Sequence, residues 1–161
     1  MPNILDNLSA YNKDLTKGFE GFRNKPYKDS RGFKTIGYGF NLNDESIKGL
    51  LDKNIISGKR PITTEEADLL FSKLYSRAYN NAKSFIGDKE FGTLPIKKQE
   101  VLIDMAYNLG EPRLREFKKL KKAILEGNFT KATVEMKNSN WYSQVKDRAK
   151  KLMEIMGQID E

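Results

Sequence analysis

Residues 19–40 read FEGFRNKPYKDSRGFKTIGYGF, and the hydrophobic period changes inside this stretch. Upstream, Ile4, Leu8, Tyr11, Leu15, Phe19 and Phe22 recur at steps of three or four. That spacing predicts one amphipathic helix over about 3–20, with Gly21 as its stop. Downstream, Asp29-Ser-Arg-Gly32 carries Asp at the first and Gly at the last position of a turn. It separates Pro26-Tyr-Lys28 from Phe33–Phe40, which alternates as a strand does. Ile36, Tyr38 and Phe40 are predicted on one face; Thr35, Gly37 and Gly39 leave the other nearly bare.

The rest of the chain has helical patterning. Residues 44–53 form a short predicted helix. Thr63-Thr-Glu-Glu66 is a capping box that opens a long one, with Ala67, Leu70, Phe71, Leu74, Ala78 and Ala82 on one stripe. Carried to Phe85, it would be roughly 34 Å long, enough to bridge two lobes. Pro95 starts a helix that Gly110 ends. Its run of Val101, Leu102, Ile103, Met105, Ala106 and Leu109 is apolar nearly all round and predicts a buried central element. Residues 113–126, 130–137 and 143–157 supply helices to pack around it. The expected class is α+β, mostly α.

The 161 residues include no Cys and no His. Thiol nucleophiles, Ser-His-Asp triads and the usual zinc sites are thereby excluded, so proton chemistry falls to Asp, Glu, Lys or Tyr. Net charge is +7, and residues 112–151 hold twelve Lys/Arg against four Asp/Glu. Such a basic segment reads either as solvated helix faces or as a surface for a polyanion. The start, MPNILDNLSAYNKD, lacks a basic n-region and an apolar h-region, and no apolar run approaches a membrane span. The expectation is synthesis in a cytoplasm, with outside help needed to act elsewhere.

Two carboxylates stand out. Glu20 falls in the last turn of the first predicted helix, where carbonyl ends carry partial negative charge, and Phe19 and Phe22 flank it. Both effects favour the protonated form that a general acid needs. Asp29 falls in the turn, where solvent and free N–H groups favour ionisation. Carboxylates in opposed environments suit acid-plus-base glycoside chemistry. Thr35 adds a hydroxyl for holding a water, and Gly37 and Gly39 leave room for a bulky substrate. Duller roles stand beside each: Glu20 as a solvated surface residue, Asp29 as a turn cap, Thr35 as a strand former, the glycines as a bulge or bend.

Phe19-Glu-Gly-Phe22, Pro26-Tyr-Lys-Asp29 and Gly32-Phe-Lys-Thr-Ile-Gly-Tyr-Gly39 together closely resemble the active-site segment of phage-type lysozymes, glycoside hydrolase family 24, nearest to those of T-even phages. Similarity continues in Ile62-Thr-Thr-Glu-Glu-Ala67, in Asp104-Met-Ala-Tyr-Asn-Leu-Gly110, and in Asn140-Trp-Tyr-Ser-Gln144 with Arg148. The resemblance implies one lysozyme domain over 1–161, with an N-terminal lobe of about 1–62, an interlobe helix of about 63–85 and a C-terminal lobe of about 86–161. It implies hydrolysis, with inversion, of the β-1,4 bond between N-acetylmuramic acid and N-acetylglucosamine. Glu20 would protonate the leaving oxygen; Asp29, helped by Thr35, would activate water on the opposite face. Arg148 would support Glu20. Substrate-binding positions would fall on Tyr107, Gly37, Gly39 and Asn41, although Tyr107 also suits simple packing on the central helix.

The implied partner is bacterial peptidoglycan. No cofactor, metal, nucleic acid or membrane span is expected, and the chain is expected to be a monomer. It would reach the wall, in the periplasm, through a membrane pore or by injection. A lytic transglycosylase and a non-catalytic peptidoglycan-binding module are the alternatives; Glu20, Asp29 and Thr35 together favour hydrolysis. Against its relatives the sequence departs in three places. Phe40 and Leu74 stand where a His–Asp pair is found, which predicts stability without a His-linked slope between pH 5 and 8. A short N-terminal extension is expected to lengthen the first helix.

Overall fold

The computed structural model describes residues 8–159. The class is α+β and mostly α, as expected, with one small antiparallel sheet. The described chain forms two compact units, residues 13–74 and residues 8–12 with 75–159.

In the first unit, helix α1 (Asp14–Glu20) leads into β1 (Arg23–Lys28), β2 (Lys34–Gly37) and β3 (Phe40–Asn41), which pair in that order. The predicted helix over 3–20 is not continuous: Ser9–Lys13 is turn and bend. Ser and Asn side chains compete locally for backbone groups and weaken a helix interior. Ile4 and the rest of the extension lie outside the described residues. Tyr11, beyond α1, joins the other unit, where its hydroxyl donates to Gln99.

The predicted strand 33–40 is also divided. It turns at Tyr38–Gly39 and returns, so that Ile36 faces Phe40 and Thr35 faces Asn41. The physical reason lies in the two glycines. Gly37 and Gly39 have φ of 64° and 73°, a left-handed backbone that other residues adopt at a cost. A Cβ on Gly37 would also stand 2.5 Å from the Phe40 ring. Ile36 and Phe40 stay buried because directly opposed residues share a sheet face.

The predicted helix 44–53 is two short ones, α2 (Glu45–Lys48) and α3 (Lys53–Ile56). Gly49 ends the first, and Asp52 caps the second by accepting from the Asn54 N–H at 2.7 Å. Helix α4 (Thr64–Ile86) opens on the capping box in full. Thr63 Oγ1 accepts from the Glu66 N–H at 3.1 Å, and Glu66 Oε1 accepts from the Thr63 N–H at 3.0 Å. Arg60 grips the same carboxylate through two bonds of 2.9 Å. The stripe from Ala67 to Ala82 is buried throughout. The helix contributes residues 64–74 to one unit and 75–86 to the other.

The second unit adds α5 (Asp88–Thr93), a helix the periodicity did not reveal, and α6 (Ile96–Leu109), the predicted central helix. Pro95 precedes α6 and Gly110, at φ 79°, ends it. Residues 98–106 are all buried. Helix α7 (Glu111–Leu114) and α8 (Lys118–Leu125) replace the single predicted helix 113–126. After α9 (Phe129–Lys137), the predicted helix 143–157 becomes α10 (Asn140–Val145) and α11 (Asp147–Gly157), parted by Lys146 at φ 39°. No helix among the described residues is long and apolar enough to cross a membrane.

Candidate active site

Glu20 is the last residue of α1. Gly21 stops the helix there at φ 68°, its N–H donating to the Lys17 carbonyl at 2.9 Å. The Glu20 carboxyl lies where a side chain on residue 39 would be: a Cβ on Gly39 would stand 2.7 Å from Glu20 Cδ and closer still to Oε2. Gly39 therefore does two things. It supplies the left-handed turn, and it lets a carboxylic acid rest against bare backbone. The Phe22 ring beside it is 40% exposed and lies tilted against Tyr38, centroids 5.2 Å apart.

Asp29 fills the turn-capping role that its sequence position allows. Its Oδ1 accepts from the Arg31 N–H at 2.9 Å and the Phe33 N–H at 2.8 Å. Its backbone N–H donates to the Phe33 carbonyl, and its carbonyl accepts from Gly32, each at 2.9 Å. The second carboxylate oxygen carries none of these bonds. Capping thus fixes the side chain while keeping one oxygen for other chemistry.

Thr35, 4% exposed, donates its hydroxyl proton to the Phe33 carbonyl at 2.8 Å. With the proton committed, its oxygen is left to accept. Tyr27 pairs directly with Thr35 across the sheet. Tyr27 is not among the residues that the sequence singles out, yet it senses both acids. Burial, then the Glu20 charge, and more weakly that of Asp29, push its hydroxyl above the ordinary tyrosine value, while Arg23 opposes them. The Arg23 guanidinium lies 4.6 Å from its ring centroid. Its only sequence signal is an aromatic two residues before Asp29. Asn41 is exposed and opposite Thr35; its Oδ1 accepts from the Asn43 N–H at 2.8 Å.

Tyr107 and Arg148 belong to the other unit. Tyr107 is half-buried on α6. Arg148 is bound in a fork by Asp104, at 2.9 Å and 3.0 Å, and Asp104 is wholly buried. One turn beyond Asp104, Asn108 Oδ1 accepts from the Trp141 indole N–H at 2.9 Å. The two distant motifs of the sequence, 104–110 and 140–148, are joined by these polar contacts. In the sequence Asp104 stands only as the first residue of the 104–110 motif; a charge among the apolar residues of that helix is the signal that could have pointed to a buried partner. Among the described residues no group of acidic side chains could hold a metal ion.

The phage lysozyme family model matches residues 17–154, spanning both carboxylates, the hairpin and the Asp104–Arg148 pair. The chain belongs to the phage lysozyme family. It is a glycoside hydrolase of the muramidase type. A Dictyostelium discoideum protein named "Probable T4-type lysozyme 2" is 30% identical over 155 residues, 89% of this chain and 91% of its own. The pre-baseplate central spike protein of Enterobacteria phage T4 is 27% identical over 163 residues, 94% of this chain but 28% of its own. A peptidoglycan hydrolase of Pseudomonas phage phiKMV is 27% identical over 146 residues, 91% of this chain and 15% of its own. Similarity to this chain thus covers nearly the whole of one relative and a fraction of two much larger ones.

Proposed function

We propose that this phage-type lysozyme hydrolyses bacterial peptidoglycan at the β-1,4 bond between N-acetylmuramic acid and N-acetylglucosamine, with inversion. Glu20 donates the proton to the leaving oxygen. Asp29 takes a proton from the attacking water, which the Thr35 oxygen helps to hold. Exposed Asn41 meets the sugar chain on the hairpin, and Gly37 and Gly39 serve binding by shaping that hairpin around the Phe40 ring and the Glu20 carboxyl. Tyr107 contributes an aromatic surface for sugar, and Arg148 supports Glu20, as family resemblance suggests. The chain works alone as a monomer and acts on the wall after passage through a membrane pore or by injection. The observation that carries the reading is the seat of Glu20. Its carboxyl is held against Gly39, while Asp29, fixed by its own turn, keeps one oxygen outside that turn's bonds.

The test is release of soluble fragments from purified peptidoglycan, wild type beside Glu20→Gln, with products resolved by mass. Reducing-end products that disappear in the variant are expected. Anhydro products would indicate a lytic transglycosylase instead. Release unaffected by the substitution would remove Glu20 from the chemistry, and binding without release from a folded wild type would indicate a wall-binding module.

A further inference from the structure

The Glu20 helix end and the Gly39 turn meet at a second place, on the side chain of Asp68 in α4. Lys17, one turn before Glu20, places its ammonium 3.0 Å from Asp68 Oδ1. Tyr38, the residue between the two hairpin glycines, donates its hydroxyl to the same oxygen at 3.2 Å. Lys17 also lies 5.0 Å from the Tyr38 ring centroid and 5.1 Å from that of Phe71. The Tyr38 ring packs against Phe22, Phe40 and Phe71 at 5.2 Å, 6.2 Å and 5.6 Å. One carboxylate oxygen therefore gathers the helix that carries Glu20 and the turn that carries Gly39.

We propose that Asp68 is a positioning residue for the hydrolysis, acting through Tyr38 and Lys17 to hold the Gly39 backbone against the Glu20 carboxyl. The reason is geometric. Glu20 ends a seven-residue helix, and Gly39 sits in a turn between strands of four and two residues. Elements this short do not fix a carboxyl to a fraction of an ångström by themselves. Tyr38 lies next to Gly39 in the chain, and Lys17 lies three residues before Glu20, so movement at Asp68 reaches both. Burial and the Asp68 charge push the Tyr38 hydroxyl above its ordinary value, which keeps it a donor through neutral pH. The Lys17 and Asp68 side chains are 28% and 48% exposed. Solvent at that exposure leaves an ion pair little role in stability, so what the cluster supplies is placement.

This proposal rests on Glu20 acting as the acid, and its test separates the two. Asp68→Ala should lower kcat on soluble glycan fragments by about tenfold, with KM nearly unchanged, as misplacement of a reacting group does. Tyr38→Phe, which removes one oxygen and keeps the ring, should lower kcat about threefold in the same way. Asp68→Asn, which retains an acceptor for Tyr38, should recover most of the loss. In both Asp68→Ala and Tyr38→Phe, NMR should show the Gly39 amide resonance and the Glu20 carboxyl titration midpoint displaced. Wild-type kcat in Asp68→Ala, a loss confined to KM, or unmoved Gly39 and Glu20 signals would overturn the proposal. Were Asp68→Ala to fail to fold, Tyr38→Phe would decide the matter by the same kcat and NMR readings. Full activity in Glu20→Gln would defeat the functional reading, while the NMR displacements would still decide the positioning role.

Discussion

The hairpin of residues 34–41 and the helix α6 solve opposite problems. In the hairpin, the arrangement depends on side chains that are absent: Gly37 makes room for the Phe40 ring and Gly39 for the Glu20 carboxyl. In α6, polar side chains sit among apolar ones. Asp104 and Lys98 are both fully buried in the helix that also carries the core residues Val101, Leu102, Ile103 and Met105. Lys98 donates to the carbonyls of Met156 and Gln158 at 3.0 Å and 2.7 Å, satisfying the end of α11, and lies 4.6 Å from the Phe129 ring centroid. The lesson is that polar groups in α6 hold one unit together, whereas missing groups in the hairpin shape the place where chemistry is proposed.

Substitutions can break this contrast. The largest effect on stability is expected from Asp104→Ala, which takes the forked partner from buried Arg148. Urea unfolding should show a loss of about 3 kcal/mol. Lys98→Met should cost about 2 kcal/mol by the same measurement, because the buried Met156 carbonyl and the part-buried Gln158 carbonyl lose a charged donor. Losses below about 0.5 kcal/mol in both would show that α6 tolerates these sites as an ordinary surface does.

Smaller effects belong to pH. Arg60, with help from the Thr63 backbone N–H, lowers the Glu66 carboxyl to about 2. Its stabilising contribution is therefore complete above the ordinary unfolded carboxyl value and lost as pH falls through about 2. The stability difference between wild type and Glu66→Gln should be constant near neutrality and shrink in that acid window. Glu100 has the opposite sign. Burial raises its carboxyl, against the Asn12 N–H and Lys97. Its contribution is complete below the unfolded value and declines as pH rises through the raised one. The wild type should therefore lose stability relative to Glu100→Gln as pH rises above the ordinary carboxyl range, with no His in the chain to add a slope of its own. A slope persisting in that variant would point to another titrating group.

How much the sequence disclosed follows the range of the forces involved. Capping at Thr63 and Glu66, the Gly21 and Gly110 stops and the apolar stripe of α4 are local, and each was readable. Chain breaks at Ser9–Lys13, Gly49–Asp52 and Lys146 were not, because hydrophobic period continues across them while the backbone turns. The hairpin reads as one strand for the same reason: Ile36 and Phe40 share a face whether they alternate along a strand or pair across a turn. Glu20 and Asp29 were legible as a spaced pair, but their surroundings were not. Gly39 under Glu20 and Asp104 on Arg148 are contacts between segments distant in sequence, and periodicity carries no record of those.

The most direct measurement compares Gly39→Ala with Gly127→Ala. Both glycines have left-handed backbones, φ 73° and 70°, so each alanine should cost about 1–2 kcal/mol of strain. A Cβ at 127 meets nothing within 4 Å, whereas one at 39 meets the Glu20 carboxyl. Similar losses in unfolding free energy are predicted, with a fall of about a hundredfold in peptidoglycan hydrolysis for Gly39→Ala alone. Equal activity in the two variants would contradict the role given to the bare backbone under Glu20.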